Sequence, residues 1–253
     1  MKLKDRVAIV TGGGYGIGKE YSFALANEGA KVVVADIKFE EAQRVAKEIV
    51  EKGKEALAIN TNVSDENSTL EMAKKTYDRF GRIDILVNNA ALFVALGKKP
   101  WEEIDTEEWD ICMAVNLKGL FLCSKAVVPY MKLQGKGRII NISSGLAYRG
   151  FTGMLHYVTS KAGVLGFTRG LARELAGQNI NVNSIAIGST LSEGVIATGR
   201  ISPEIQDMSR RQRCVQKDMY PKDISGTVIF LASDDSEFIC GETIVVDGGI
   251  AFI

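Results

Sequence analysis

Val7-Ala8-Ile9-Val10-Thr11-Gly12-Gly13-Gly14-Tyr15-Gly16-Ile17-Gly18 runs from an apolar stretch straight into glycines, and this junction decides the fold. A short, continuously apolar run bounded by glycine reads as a buried strand. Lys19 to Asn27 reads as a helix that turns Phe23, Ala24 and Ala26 towards a sheet and stops at Gly29. Strand, glycine turn and helix together make a phosphate-binding geometry. Gly12 permits a tight turn, Gly16 lets the backbone approach a pyrophosphate, and Gly18 lets helix pack against strand, while the helix N-terminus presents free amides to an anion. A second apolar run ends at Asp36, roughly 20 residues beyond the loop, where a carboxylate would meet ribose hydroxyls. That carboxylate would repel an extra phosphate, so NAD is expected rather than NADP. Lys38 is the contrary residue, and it is expected to be a solvated lysine opening the next helix.

Working outward, the apolar runs Val7 to Thr11, Val32 to Asp36, Ala56 to Asn60, Ile85 to Asn89, Ile139 to Ser143, Asn181 to Ala186 and Thr243 to Val246 predict seven strands, separated mostly by helices. Such alternation implies an α/β fold of the Rossmann-like kind: one parallel, doubly wound sheet with helices on both faces. No linker or repeat breaks the 253 residues, so a single domain over 1–253 is expected. The segment 191–220 interrupts the alternation.

A second pattern carries chemistry. Tyr157 and Lys161 are four residues apart, and on a helix they share a face, so the ammonium lies near the phenol and favours its ionised form. A phenol brought from about 10 towards neutrality is a useful general base. Alone this spacing is weak, because a lysine one turn after a tyrosine is common on helices. Ser144, at the end of the fifth run, adds a hydroxyl thirteen residues upstream.

Taken together, the glycine loop, Asn88-Asn89-Ala90, Asn116, Ser144, the Tyr157/Lys161 pair and Val246-Asp247-Gly248-Gly249 resemble the short-chain dehydrogenase/reductase family over essentially the whole chain. The resemblance implies hydride transfer between a nicotinamide cofactor and a secondary alcohol or ketone. Ser144 would hold the substrate oxygen and Tyr157 would move the proton. Lys161 would lower the phenol pKa and grip the nicotinamide ribose, and Asn116 would position a water linking Lys161 to solvent. It implies cofactor contacts at Gly12, Tyr15, Gly16, Ile17, Gly18, Asp36, Ile37, Asn62, Val63, Asn89, Ala90, Tyr157, Lys161, Gly188 and Thr190, a lid over substrate around 191–220, and a homotetramer. Spacing in relatives favours Ser144 over its neighbour Ser143.

Three positions depart from the family pattern. Asn62 stands for the usual Asp, and its carbonyl is expected to keep the adenine amino contact. Ala91 stands for Gly, tolerable unless the backbone needs positive φ. Ile187 stands for the Pro of a Pro-Gly turn, which adds a donor and frees the loop before Gly188.

Composition excludes other classes. Lys plus Arg and Asp plus Glu balance at 31 each, and no basic stripe is interleaved with aromatics, so nucleic acid is not an expected partner. The one basic cluster, Arg210-Arg211-Gln212-Arg213, reads as a solvated helix face, with contact to an anionic substrate tail as the sharper alternative. The start, Met1 to Lys4, is too polar for a signal peptide, and a cytoplasmic protein without a membrane partner is expected. One histidine and four scattered cysteines offer no zinc spacing, so no metal is expected. His156 is expected at the surface or on a helix cap.

Leu92, Phe93, Val94, Leu146 and Met154 are pocket candidates, and Val195, Ile196, Ile205 and Met208 either face the pocket or pack the lid down. They favour an apolar, aromatic or cyclic alcohol or ketone as substrate. A 3-oxoacyl thioester carried on acyl carrier protein is the alternative. Relatives with that activity usually prefer NADPH, which Asp36 opposes, while Arg138 and Arg173 supply basic groups to recognise a carrier. Sugar or polyol oxidation would require more polar pocket residues, and a non-catalytic dinucleotide sensor would not require Ser144, Tyr157, Lys161 and Asn116 together.

Overall fold

The computed structural model describes residues 1–253. Seven strands form one all-parallel sheet in the order β3-β2-β1-β4-β5-β6-β7. They are β1 (Val7–Thr11), β2 (Lys31–Asp36), β3 (Ala56–Asn60), β4 (Ile85–Asn88), β5 (Gly137–Ser144), β6 (Ile180–Ile187) and β7 (Thr243–Val246). The helices between them are α1 (Gly16–Asn27), α2 (Phe39–Glu51), α3 (Glu66–Phe80), α4 (Thr106–Met113), α5 (Gly119–Gln134), α6 (Leu146–Arg149), α7 (Leu155–Glu174), α8 (Glu193–Thr198), α9 (Pro203–Gln212) and α10 (Lys222–Ala232). The expected doubly wound α/β architecture is the one observed.

Both sheet faces are covered, which explains why the strands are apolar without alternation. Ala8, Val10, Val32, Val34, Ile85 and Val87 pack against Tyr21 and Leu25 of α1, Val45 and Ile49 of α2, and Ile224 and Val228 of α10. Their neighbours Ile9, Val33, Leu86, Ile139 and Val182 point the other way, onto Met72 of α3 and Cys123, Val127 and Met131 of α5. The α4–α5 run Thr106–Gln134 is apolar and long enough to cross a membrane, and half of its most apolar window is buried within the protein.

Several boundaries differ from the sequence reading. β5 and β6 pair along eight residues each, from Gly137↔Ile180 to Ser144↔Ile187, so the ladder carries Gly137 and Arg138 into a strand that apolar content begins at Ile139. β4 stops at Asn88 instead of Asn89 because the Asn89 amide turns back to donate to the Thr11 and Gly12 carbonyls at 2.9 and 3.1 Å. Helix α1 begins at Gly16, and its buried face is Gly18, Tyr21, Ser22, Leu25 and Ala26. Phe23 is only half-buried, with the Lys52 ammonium 4.4 Å above its ring.

The winding places the crevice. The chain runs outward from β1 to β3, then returns to β4 on the other side of β1. At such a reversal the connections diverge and leave a cleft beyond the carboxyl ends of the strands.

Candidate active site

A cavity of about 610 Å³ fills that cleft. Gly12 after β1, Asp36 of β2, Asn89 after β4, Ser144 of β5 and Ile187 of β6 all reach it, and Tyr157 and Lys161 enter from α7. Tyr15, Ile17, Gly18, Ile37, Asn62, Val63, Ala90, Gly188 and Thr190 also line it. Gly16, the first residue of α1, lies between two of these residues in sequence but does not line the cavity. Of the expected catalytic residues, only Asn116 stands behind the wall.

The glycine loop is built by exclusion. Gly12 has φ +62°, and a Cβ there would sit 2.9 Å from Cα of Ala90. A Cβ on Gly18 would lie 2.0 Å from the Gly12 carbonyl oxygen and 2.5 Å from the Asn89 amide nitrogen. The close approach that Gly18 permits is therefore to the loop itself and to Asn89, more than to the strand. At the N-terminus of α1, Glu193 of α8 accepts a hydrogen bond from the Gly16 amide at 3.4 Å and pairs with Lys19 at 3.0 Å. A carboxylate from the chain thus sits where the loop offers amides to an anion.

Asp36 is nearly buried, and its two oxygens accept from the Gly14 and Lys38 amides, each at 3.0 Å. These bonds fix the carboxylate and leave further lone pairs for the cavity. Lys38 is exposed and opens α2, and it also lines the cavity next to Asp36. Asn62 differs from expectation. Its carbonyl oxygen already accepts from the Ser64 amide at 3.1 Å and the Ser64 hydroxyl at 2.7 Å, so its amide group is what remains for an adenine ring. Ala91 has no positive φ, so its methyl group is tolerated. Ile187 continues β6, pairing with Ser144 and Val246, and its carbonyl accepts from the Gly145 amide at 2.9 Å.

The loop after β6 is held by a residue that the sequence reading placed in solvent. Arg213 is buried, and its guanidinium donates to the carbonyls of Ser189, Lys217 and Asp247 at 2.6, 2.7 and 3.2 Å. Three carbonyls from three segments satisfy one fork, so the basic cluster is not a solvated face at this position. Arg138 is likewise only 1% exposed, tied to the Gly137 carbonyl, and cannot serve as a surface group for a carrier; Arg173 is exposed. His156 is neither at the surface nor a cap. It is fully buried on α7, with Nε2 2.9 Å from Glu108, whose other oxygen takes Lys99 at 2.5 Å. Composition gave no signal for these three. Only the pairing of distant segments buries them.

Ser144, Tyr157 and Lys161 are all buried together. The Lys161 ammonium lies 5.9 Å from the centre of the Tyr157 ring and donates to the Ile142 carbonyl at 2.8 Å, which leaves two N–H groups. Burial pushes the Tyr157 phenol up to about 12, against an opposing hydrogen bond from Ser144. The same burial pulls Lys161 down to about 8. The lysine therefore does not by itself bring the phenol to neutrality, because desolvation outweighs a cation that is turned towards a backbone carbonyl. Ser143 points away, its hydroxyl donating to the Lys161 carbonyl at 2.8 Å.

Asn116 sits in a π-helical turn, Ala114–Lys118, between α4 and α5. Its carbonyl oxygen accepts from the Leu92 amide at 2.7 Å, and its amide donates to the Leu92 carbonyl at 3.1 Å and the Ser160 hydroxyl at 3.2 Å. The side chain is thereby committed to locking the loop after β4 onto α7.

A buried lysine whose folded pKa lies below its unfolded value weakens the fold while it is charged. Between about pH 8 and 10.5 the unfolded chain binds more protons, so stability rises with pH through that window. Lys161→Met is therefore expected to stabilise the protein at pH 7 by about 1–2 kcal/mol, after the loss of the Ile142 bond, with the advantage shrinking above pH 8. Urea unfolding of both proteins at pH 7 and pH 9.5 checks this; a less stable variant at pH 7 counts against it.

A dinucleotide cradle that shares one cavity with a buried serine, tyrosine and lysine defines a nicotinamide-dependent oxidoreductase. The profile of the family described as enoyl-(acyl carrier protein) reductase matches residues 12–251. The 3-oxoacyl-[acyl-carrier-protein] reductase FabG of Staphylococcus epidermidis is 39% identical over 248 residues, 97% of this chain and 99% of that one. Subunit BbsD of (2S)-[(R)-hydroxy(phenyl)methyl]succinyl-CoA dehydrogenase from Thauera aromatica is 38% identical, covering 98% of each chain. A solved 7α-hydroxysteroid dehydrogenase, complexed with NADH and 7-oxo glycochenodeoxycholic acid, superposes with a TM-score of 0.92 at 33% identity, over 98% of this chain and 95% of that one. This chain belongs to the short-chain dehydrogenase/reductase family.

Proposed function

We propose that this chain interconverts a 3-hydroxyacyl and a 3-oxoacyl thioester, with NAD(H) as the redox partner. The observation that carries the reading is the lining of the cavity around Tyr157. Leu92, Phe93, Val94, Leu146 and Met154 make that part of the wall apolar, while the cations of Lys98 and Arg149 stand exposed on the same cavity. An apolar acyl chain joined to a phosphate-bearing carrier fits that division of chemistry. The names of the relatives from Staphylococcus epidermidis and Thauera aromatica support it, since both describe oxidoreductases of acyl thioesters.

The residues present fit a nicotinamide dinucleotide: Gly12 and Gly18 let the loop fold tightly against Asn89 and Ala90, the α1 N-terminus presents amides of which Glu193 engages that of Gly16, and Asp36 keeps acceptor capacity for the ribose. When bound, the cofactor supplies the hydride acceptor or donor. In the oxidising direction, Ser144 donates a hydrogen bond to the substrate oxygen and Tyr157 takes the hydroxyl proton as the carbinol carbon gives up its hydride. Lys161, with two N–H groups free, holds ribose hydroxyls and places positive charge beside the phenol. Any ordering of a water by Asn116 falls to its main chain, because its side chain is engaged. The segment holding α8 and α9 brings Val195, Ile205 and Met208 to the cavity and acts as the lid, and α5 with its exposed Phe121 and Leu133 suits the expected homotetramer.

The runner-up is oxidation of a bulky ring alcohol, favoured by the same apolar lining and by the hydroxysteroid dehydrogenase likeness. Nicotinamide absorbance with NAD, using coenzyme A thioesters of 3-hydroxy acids beside cyclic secondary alcohols, separates the two. The thioesters are expected to show kcat/KM at least about tenfold higher, the equivalent of some 1.4 kcal/mol. Turnover of ring alcohols with inert thioesters would overturn the proposal in favour of the runner-up.

A further inference from the structure

We propose that Arg200 anchors the substrate, its guanidinium pairing with a carboxylate carried on the acyl body beside the reacting carbon. The inference deepens the preceding reading and rests on its placement of the reaction at Tyr157. Arg200 follows Gly199, whose φ of +59° ends α8, and its amide donates to the Val195 carbonyl at 3.2 Å. That cap sets where the side chain departs. The guanidinium lies 5.3 Å from the Phe93 ring centre, and the Phe93 ring packs 5.0 Å from that of Tyr157. Arg200 thus stands one aromatic ring away from the phenol, on the wall of the same cavity.

Its hydrogen bonding is incomplete. The only partner of the guanidinium is the Met154 sulfur at 3.5 Å, a weak acceptor, and Nε is buried with none. Burial lowers the pKa of three arginines, Arg138, Arg200 and Arg213. Arg213 is satisfied by three carbonyls, and Arg138, which leaves Nε and Nη2 without hydrogen bonds, lies away from the cavity; Arg200 faces the cavity and donates to no oxygen. A half-desolvated cation with spare donors is costly unless an anion completes it. The contact with the Phe93 ring holds the guanidinium in place but leaves its N–H groups unspent. Lys98 and Arg149 are exposed to water and carry no such deficit, so carrier phosphates fall to them and the interior anion to Arg200.

A matched pair of probes tests this without any phosphate. One is the N-acetylcysteamine thioester of 3-oxoadipic acid; the other is its ω-methyl ester, larger by one methyl group and lacking the charge. Wild-type protein loaded with NADH is expected to bind and reduce the acid at least about tenfold better than the ester, as a charge-assisted bidentate pair requires. Arg200→Met, which keeps the apolar stem, is expected to erase most of that ratio, and Arg200→Lys to restore part of it. A wild-type protein indifferent to the charge, or an Arg200→Met protein with the ratio unchanged, overturns the proposal. Calorimetric binding to the NADH-loaded Tyr157→Phe variant reads the same ratio without turnover. Selective binding there with no wild-type turnover would refute the assigned reaction while supporting the anchor.

Discussion

Tyr157→Phe is expected to lower kcat by about 10³-fold or more while NAD affinity stays within about threefold. The substitution deletes one oxygen from a buried ring and leaves its packing against Phe93 in place, so the fold has little to lose. The proton route has everything to lose, because no other titratable group with its proton at the cavity floor is in position. Ser144 is a hydroxyl too weakly acidic to give up its proton, and the Lys161 ammonium spends one N–H on the Ile142 carbonyl and the other two on the ribose. With the phenol held up at about 12 in the chain alone, its ionised fraction grows with pH across the neutral range. Alcohol oxidation by the wild type is therefore expected to rise between pH 7 and pH 9, and ketone reduction, which uses the protonated phenol, to stay level. Progress curves in both directions and cofactor fluorescence titrations of both proteins check this. Near-normal turnover in the variant would remove Tyr157 from the mechanism.

The parts of this site that were legible in the sequence are those fixed by local constraint. Gly12 and Gly18 announce themselves because nothing larger fits, Asp36 because a strand ends on it, and Tyr157 with Lys161 because a helical turn aligns them. What stayed hidden depends on contacts between distant segments. Arg213 looks like one more charge on a polar helix until the loop after β6 and the turn at Asp247 deliver carbonyls to it. His156 looks exposed until Glu108 arrives from α4. Asn116 is flagged only by the resemblance, while its place behind the cavity wall, its π-helical turn and its hold on Leu92 and Ser160 need the third dimension. The phenol's pKa failed for the same reason: spacing predicts the cation's nearness, while burial, which decides the sign, is a property of the whole fold.

Asp36 sets the other large effect. The wild type is expected to favour NAD over NADP by at least about 10²-fold in kcat/KM, and Asp36→Asn to cut that ratio tenfold or more. The carboxylate is nearly buried and pinned by the Gly14 and Lys38 amides, so it cannot swing away from an added phosphate. Two unit charges about 4 Å apart repel by roughly 4 kcal/mol at a protein surface, whereas a solvated lysine returns only about 1 kcal/mol at the same distance. Lys38 is such a lysine: although it lines the cavity rim, it is exposed and outside every ion pair, so its ammonium stays hydrated. Asn at this position keeps an oxygen for one of the two amides and the ribose, but removes the charge. NAD turnover is thus expected to fall modestly and NADP turnover to climb, and steady-state kinetics with both cofactors reads the two changes separately. An NADP preference in the wild type would mean that Lys38 or the lid supplies more positive potential than Asp36 opposes, and the cofactor assignment would then reverse while the proton chemistry at Tyr157 stood unchanged.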